Sequence, residues 1–139
     1  MSKLYMGFDA GTQSVKVAVY DEQFNCLTSH SLPTHLHYPQ PGWVEMSADE
    51  FLEITVKSMA ACAQSLREMG RDPKDVCAVM GDGIICGIVG VNPDGDAVTP
   101  YINYLDSRTT PDVEALNARE LEIWGRETGN PVASPMFPA

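Results

Sequence analysis

The stretch Leu4-Tyr5-Met6-Gly7-Phe8-Asp9-Ala10-Gly11-Thr12-Gln13-Ser14-Val15-Lys16-Val17-Ala18-Val19-Tyr20 decides how the rest of the chain is read. Leu4 to Phe8 is a short apolar run, broken only by Gly7, and reads as a buried strand. Val15, Val17 and Val19 alternate with Lys16, Ala18 and Tyr20, the pattern of a strand with one face to the core. The segment Asp9 to Ser14 between them is too short for a crossover helix, so the two strands must be antiparallel. Asp21 to Asn25 reads as a second turn, and Cys26 to Pro33 as a third, more polar strand. Three strands joined by two tight turns make a meander.

Outward from this start, His35 to Gly42 holds Pro39 and Pro41 and reads as an irregular surface crossing that ends near Trp43. Ser47 with Glu50 three places on forms a capping box, flanked by Met46 and Phe51 as a hydrophobic staple. Leu52, Val56, Met59, Ala63 and Leu66 follow as one apolar stripe of an amphipathic helix. Gly70 is its expected stop, and Pro73 lies beyond its end. Val76 to Met80 and Ile84 to Val91 read as two strands divided by Gly81-Asp82-Gly83, both apolar enough for a sheet covered on both faces. Pro93-Asp94-Gly95 is a turn. Val98 to Tyr104 is a strand that Pro100 delays or places at an edge. From Thr110 the pattern is helical, with Pro111 at the first helical position. Asn117 with Glu120 reads as a second capping box, which divides the region into two short helices that Trp124 anchors to the core. Gly129 to Pro138 forms a tail without an element of its own.

Composition limits the function classes. The chain has 139 residues, 44% of them hydrophobic and 20% charged, a globular composition with room for one domain. No apolar run is long enough to span a bilayer. The net charge is −10, which disfavours binding to a nucleic-acid backbone or an anionic membrane. A nucleotide site survives this argument, because a metal ion and backbone amides can neutralise phosphates there. Cys26, Cys62, Cys77 and Cys86 contain no CxxC pair, so free thiols in a cytoplasmic protein are expected rather than a zinc site. Asn92, Asp94 and Asp96 alternate as in some calcium loops, yet the later Gly and Glu of such loops are missing, which leaves a plain turn.

The element order βββ-α-β-β-β-α matches the opening of a ribonuclease H-like α/β fold. Four segments then point to one family. Asp9-Ala10-Gly11-Thr12-Gln13-Ser14-Val15-Lys16 with Asp21 resembles the first phosphate-binding hairpin of the FGGY carbohydrate kinases, members of the sugar kinase, actin and Hsp70 superfamily. Pro41-Gly42-Trp43-Val44-Glu45 resembles a second family segment. Asp94-Gly95 with Pro100 and Asp106-Ser107-Arg108-Thr109 resembles a third, and Thr128-Gly129-Asn130-Pro131 a fourth. The resemblance implies an α/β, ribonuclease H-like (actin-like ATPase) fold. Its mixed sheet would begin with three antiparallel strands and be incomplete in this chain. Residues 1–139 would then be the N-terminal portion of the first kinase domain, with 129–139 an irregular tail. The catalytic aspartate of the family and the second domain would lie in a missing C-terminal part.

The resemblance assigns roles by position. Asp9 would hold Mg²⁺, and Gly11, Thr12, Gln13 and Ser14, with Lys16, would cradle the phosphates of ATP. Asp82, Ile84, Ile85, Tyr104, Asp106 and Arg108 would lie on the substrate side. Asp106 is the expected acceptor for sugar hydroxyls, and Arg108 its bidentate partner. Trp43 is read as a core anchor or a wall of the sugar cleft. The Gly-Gln-Met-His-Gly segment of xylulose kinase-like members is here Gly83-Ile84-Ile85-Cys86-Gly87, which retains both glycines and loses the polar contacts, so xylulose is disfavoured as substrate.

The expected activity is ATP-dependent phosphorylation of a sugar or polyol hydroxyl by the complete enzyme, the fragment alone being inactive. Two other classes compete. One is a non-catalytic actin-like or degenerate kinase domain. The other is a ribonuclease H-like nuclease using Asp9, Glu50, Glu53 and Asp82 on two metals, which the acidic charge disfavours. The expected partners are a sugar or polyol and a nucleotide, without nucleic acid or membrane. A homodimer is left open, and an exposed apolar sheet edge, or a face that packs on the missing half, is expected to make the fragment self-associate or be partly disordered.

Overall fold

The computed structural model describes residues 3–119, 121–130 and 133–135. The chain forms two compact units: Met1–His35 with Asp49–Ile84, and Leu36–Ala48 with Ile85–Ala139. Each unit is therefore assembled from separate pieces of sequence.

In the first unit, β1 (Leu4–Ala10), β2 (Ser14–Tyr20) and β3 (Cys26–Pro33) form the antiparallel meander expected from the sequence. β5 (Val76–Gly83) then pairs parallel to β1, giving the sheet order β3-β2-β1-β5. A parallel neighbour requires a crossover, and α1 (Ala48–Glu68) supplies it. Leu4, Met6 and Ala10 of β1 and Val15, Val17 and Val19 of β2 point to one face, where Ile54, Cys62 and Leu66 of α1 cover them. Period-two strands meet a period-3.6 helix here, and this contact is the core of the unit.

The apolar stripe of α1 differs from the one expected. The buried line is Ile54, Ser58, Cys62 and Leu66, with Phe51 and Met59 partly buried. Leu52 and Val56 face outward, 65% and 55% exposed. Hydrophobicity alone misplaced the stripe because two small side chains occupy the line of closest approach to the sheet. Cys62 Sγ sits there, 3.5 Å from the carbonyl oxygen of Val17, to which it donates. His30 of β3 adds a polar tie, with Nε2 2.9 Å from Ser65 Oγ. The helix ends as expected, at Gly70 with φ +74°.

β5 also departs from expectation. It runs straight through Gly81-Asp82-Gly83, because pairing with β1 continues to Ala10 and Gly83. The glycine at 81 is a packing requirement: a Cβ there would fall within the Phe8 ring on the neighbouring strand. Cys77 to Asp82 are exposed, and among the described strands β5 is an edge, so the expected covering of both faces is absent there. Ile84 to Val91 is not a strand and contributes only the isolated bridges Ile88–Ile102 and Val91–Ala97. Cys86, at φ +65°, breaks the extended run.

The second unit holds the two-residue strands β4 (Glu45–Met46) and β6 (Tyr101–Ile102), paired antiparallel. β4 was not anticipated, and β6 begins directly after Pro100. The Asn92–Asp96 turn closes with Gly95 N donating to Asn92 O at 3.0 Å. α2 (Thr110–Arg119) and α3 (Leu121–Thr128) are the two short helices expected. Asn117 is not a cap: it lies within α2, and its side-chain amide donates to and accepts from the backbone of Ala133 at 3.0 and 2.8 Å. Glu120 and the tail residues Pro131, Val132 and Met136 to Pro138 lie outside the described residues. Trp124 is partly buried.

Candidate functional site

In the first unit the sheet places three charged side chains in a row. Asp9 pairs across to Lys16 on β2 and to Asp82 on β5. Strand alternation puts Asp9 and Lys16 on the face opposite the valines, and both are exposed. Lys16 Nζ lies 3.7 Å from Asp9 Oδ2, a solvated ion pair. Asp82 Oδ1 accepts from Gly83 N at 2.6 Å, inside the strand rather than at a turn between strands. The face these residues share opens into a depression of about 570 Å³, lined by Gly7, Asp9, Lys16, Ala18 and Tyr20 among others.

The hairpin Gly11–Ser14 closes through Gly11 N donating to Ser14 O at 3.0 Å. Thr34, directly after β3, holds its other side. Thr34 N donates to Gln13 O at 3.1 Å, and Thr34 Oγ1 to Thr12 O at 2.6 Å with a weak second arm to Gly11 O at 3.4 Å. The carbonyls of the hairpin are thus occupied. Among the described residues, the amides of Thr12 and Gln13 have no backbone acceptor. Amides left without a backbone acceptor beside an exposed carboxylate suit phosphate and a hard cation. Ile84 is held by its own amide, which donates to Ala10 O at 3.0 Å.

The second unit gathers a different group. Asp106 is 4% exposed, and its carboxylate is fully engaged by protein. Oδ1 accepts from Arg108 N at 2.8 Å and Arg108 Nε at 2.9 Å. Oδ2 accepts from Val44 N at 2.6 Å and Arg108 Nη2 at 2.8 Å. Burial pushes the Asp106 carboxyl upward, but the Arg108 side chain, the Val44 and Arg108 amides and the Arg108 charge outweigh it. The group titrates below the usual carboxylate range. Arg108 also reaches Glu45 Oε1 at 2.6 Å and stacks 3.8 Å from the Trp43 ring centroid. Ser107 N donates to Gly42 O at 2.8 Å, and Asn103 N to Val44 O at 3.0 Å. Two of the sequence segments singled out, Pro41–Glu45 and Asp106–Thr109, are therefore one locked structure. Thr34 and the Asn103 turn carried no signal of their own, since each acts through a contact distant in sequence.

Tyr104 is partly buried on that turn, and Ile85 is 78% exposed. Tyr101 lies against Gly87, where a Cβ would meet its hydroxyl. Burial, with Cys86 and Tyr104 nearby, raises the Tyr101 phenol above its ordinary value. All four cysteines are free thiols. Among the described residues, no three His, Cys, Asp or Glu side chains group to hold a metal. Glu50 and Glu53, needed for a two-metal nuclease site, instead pair with His35 at 2.7 Å and Lys57 at 2.6 Å. No described helix is long and apolar enough to cross a membrane.

Comparison with known structures defines the class. The fold superposes on gluconate kinase from Lactobacillus acidophilus with a TM-score of 0.83 and 22% identity, over 99% of this chain and 26% of that one. It superposes on Plasmodium falciparum glycerol kinase with ADP with a TM-score of 0.79 and 21% identity, over 98% of this chain and 27% of that one. This is the sugar-kinase, actin-like ATPase fold, with parallel and antiparallel strands in one sheet. The family model for the "FGGY family of carbohydrate kinases, N-terminal domain" matches residues 4–139, and the chain belongs to this family. A glycerol kinase from Geobacter sp. (strain M21) is 30% identical over 138 residues, 96% of this chain and 27% of the relative. The chain spans about a quarter of the length of such relatives.

Proposed function

We propose that this chain forms the phosphate-binding hairpin and part of the acceptor site of an enzyme that transfers phosphate from ATP to a sugar or polyol hydroxyl. The observation that carries the reading is the pair of amides at Thr12 and Gln13, without a backbone acceptor among the described residues, beside the exposed carboxylate of Asp9. In this reading the Thr12 and Gln13 amides donate to phosphate oxygens, and the hydroxyls of Thr12 and Ser14 add donors. Gly11 keeps the turn tight. Lys16 offsets charge from its place beside Asp9. Asp9 offers a carboxylate to a magnesium ion, and phosphates and water would supply most of the other oxygens. When bound, that ion would neutralise charge developing between the phosphates.

On the acceptor side, Tyr104 and Ile85 are the groups that the second unit offers to a ligand, and Asp82 is, separately, a candidate hydroxyl acceptor on the first. Asp106, with both oxygens engaged by protein, acts on the acceptor through the Asn103–Arg108 turn that it holds. Arg108 fixes the same turn. The loss of polar side chains at Ile84, Ile85 and Cys86 disfavours xylulose and leaves polyols and other sugars as candidate acceptors. A panel of glycerol, gluconate, pentuloses and hexuloses, assayed with the full-length protein by ADP release, tests the reading. Turnover of one acceptor is expected. ADP binding without turnover of any would favour a degenerate kinase, a reading motivated by the apolar segment at 84–86.

A further inference from the structure

We infer that Thr34 is the positioning residue of the phosphate hairpin: it turns the peptide planes at positions 12 and 13 so that their amides face the nucleotide. The inference rests on the proposed phosphate role of that hairpin. It follows from the rigidity of the peptide unit. A trans peptide is planar, with its C=O and N–H pointing in opposite directions. The carbonyl of Gly11 shares a plane with the amide of Thr12, that of Thr12 with the amide of Gln13, and that of Gln13 with the amide of Ser14. Whatever holds these carbonyls on one side therefore aims the following amides to the other.

Thr34 holds all three. Its amide takes the carbonyl of Gln13 at 3.1 Å. Its hydroxyl takes that of Thr12 at 2.6 Å, with the 3.4 Å contact to Gly11 O as the weaker arm of the same hydrogen. The strong hydroxyl bond thus sets the plane that carries the Gln13 amide. Pairing of Ser14 with Pro33 ends the β2–β3 ladder, so Thr34 arrives beside the hairpin as the first residue past the last pair. Proline at 33 has no amide of its own to offer at that end, which leaves Thr34 as the donor. The residue touches no ligand in this reading. Its contribution is to fix donors in advance, which avoids reorganising them when phosphate binds.

Thr34→Val in the full-length protein removes the hydroxyl and keeps shape and backbone amide, while Thr34→Ser restores the hydroxyl. Binding of Mg·ADP and the KM values for ATP and for the acceptor are to be measured for both, with Tm as the control for folding. The expected result for Thr34→Val is a loss of about tenfold in nucleotide affinity with the acceptor KM unchanged, the scale of one displaced donor. Thr34→Ser should recover most of that loss. Equal ADP affinity in wild type and Thr34→Val overturns the role of Thr34 while leaving the phosphate site standing. A parallel loss in acceptor KM and Tm, without rescue by serine, also overturns it and assigns Thr34 to general stability. If the wild type binds no nucleotide, the phosphate reading falls, and this inference with it.

Discussion

Replacing Asp106 with asparagine tests whether the carboxylate holds the second unit together. The two side chains are nearly isosteric, so the change removes charge and one acceptor without opening a cavity. Each oxygen of Asp106 accepts two N–H donors: Arg108 N and Nε on one, Val44 N and Arg108 Nη2 on the other. An asparagine amide placed on either side faces two donors with donors of its own, so two of four bonds are lost whichever way it flips. Breaking a buried ion pair typically costs about 3–5 kcal/mol. Arg108 retains Glu45 as a partner, which places the expected loss near the lower end, ~3 kcal/mol. The dependence on acidity provides the sharper signature. The folded-state pKa of Asp106 is depressed, so its contribution is complete above the unfolded value and lost as pH falls through the folded one. The stability gap between wild type and Asp106→Asn should therefore be constant at neutral pH and shrink below about pH 4. Urea unfolding across that range measures the gap, and amide exchange at Val44 locates it. A gap below ~0.5 kcal/mol at neutral pH, or one that does not change in acid, would refute the clamp.

Other substitutions probe separate parts of the structure. Gly81→Ala drives a Cβ into the Phe8 ring and is expected to destabilise by ~1–3 kcal/mol in thermal unfolding, whereas Gly7→Ala, with open space around it, should cost less. Leu66→Ala should lose about 3 kcal/mol and Leu52→Ala under ~0.5 kcal/mol, a contrast that would disappear if the helix were buried by its more hydrophobic stripe, which holds both residues. Ser58 Oγ is buried without a partner among the described residues, so Ser58→Ala should leave stability equal or raise it by up to ~1 kcal/mol; a clear loss would reveal an unrecognised bond. In the full-length protein, Asp9→Asn should lower kcat by about 10²-fold or more with little change in acceptor KM, as read from steady-state ADP release.

The meander was legible because alternation and a short connection leave few alternatives. Val15, Val17 and Val19 could face only one way, and Asp9 to Ser14 could only turn back. The ends of α1 were legible for similar local reasons, with an acidic first turn after Ser47 and a left-handed glycine at its end. Its buried face was not, since Ser58 and Cys62 are placed by the sheet they approach. Gly81 and Gly83 read as chain breaks because a sequence does not display what lies over a missing Cβ, the Phe8 ring at Gly81 and Ala10 at Gly83. The hairpin of the candidate site was visible as a motif, but Thr34 was not, because a threonine after a strand is ordinary until its hydroxyl is seen on Thr12. Asp106 and Arg108 were visible as a pair two residues apart, while their hold on Val44 and Glu45 spans 62 and 63 positions.

The interleaving of the two units bears on the order in which a ribosome can deliver them. Every strand and helix of the first unit has been synthesised once Ile84 emerges, so its hydrophobic layers can close while translation continues. Residues 36–48 are made before that point, yet their binding partners Asp106 and Arg108 are made after it. That early segment must wait for Asp106 and Arg108 until the later one leaves the exit tunnel. Nascent chains stalled when Ile84 has just cleared the exit tunnel should accordingly resist protease within the sheet and be cut between Leu36 and Ala48.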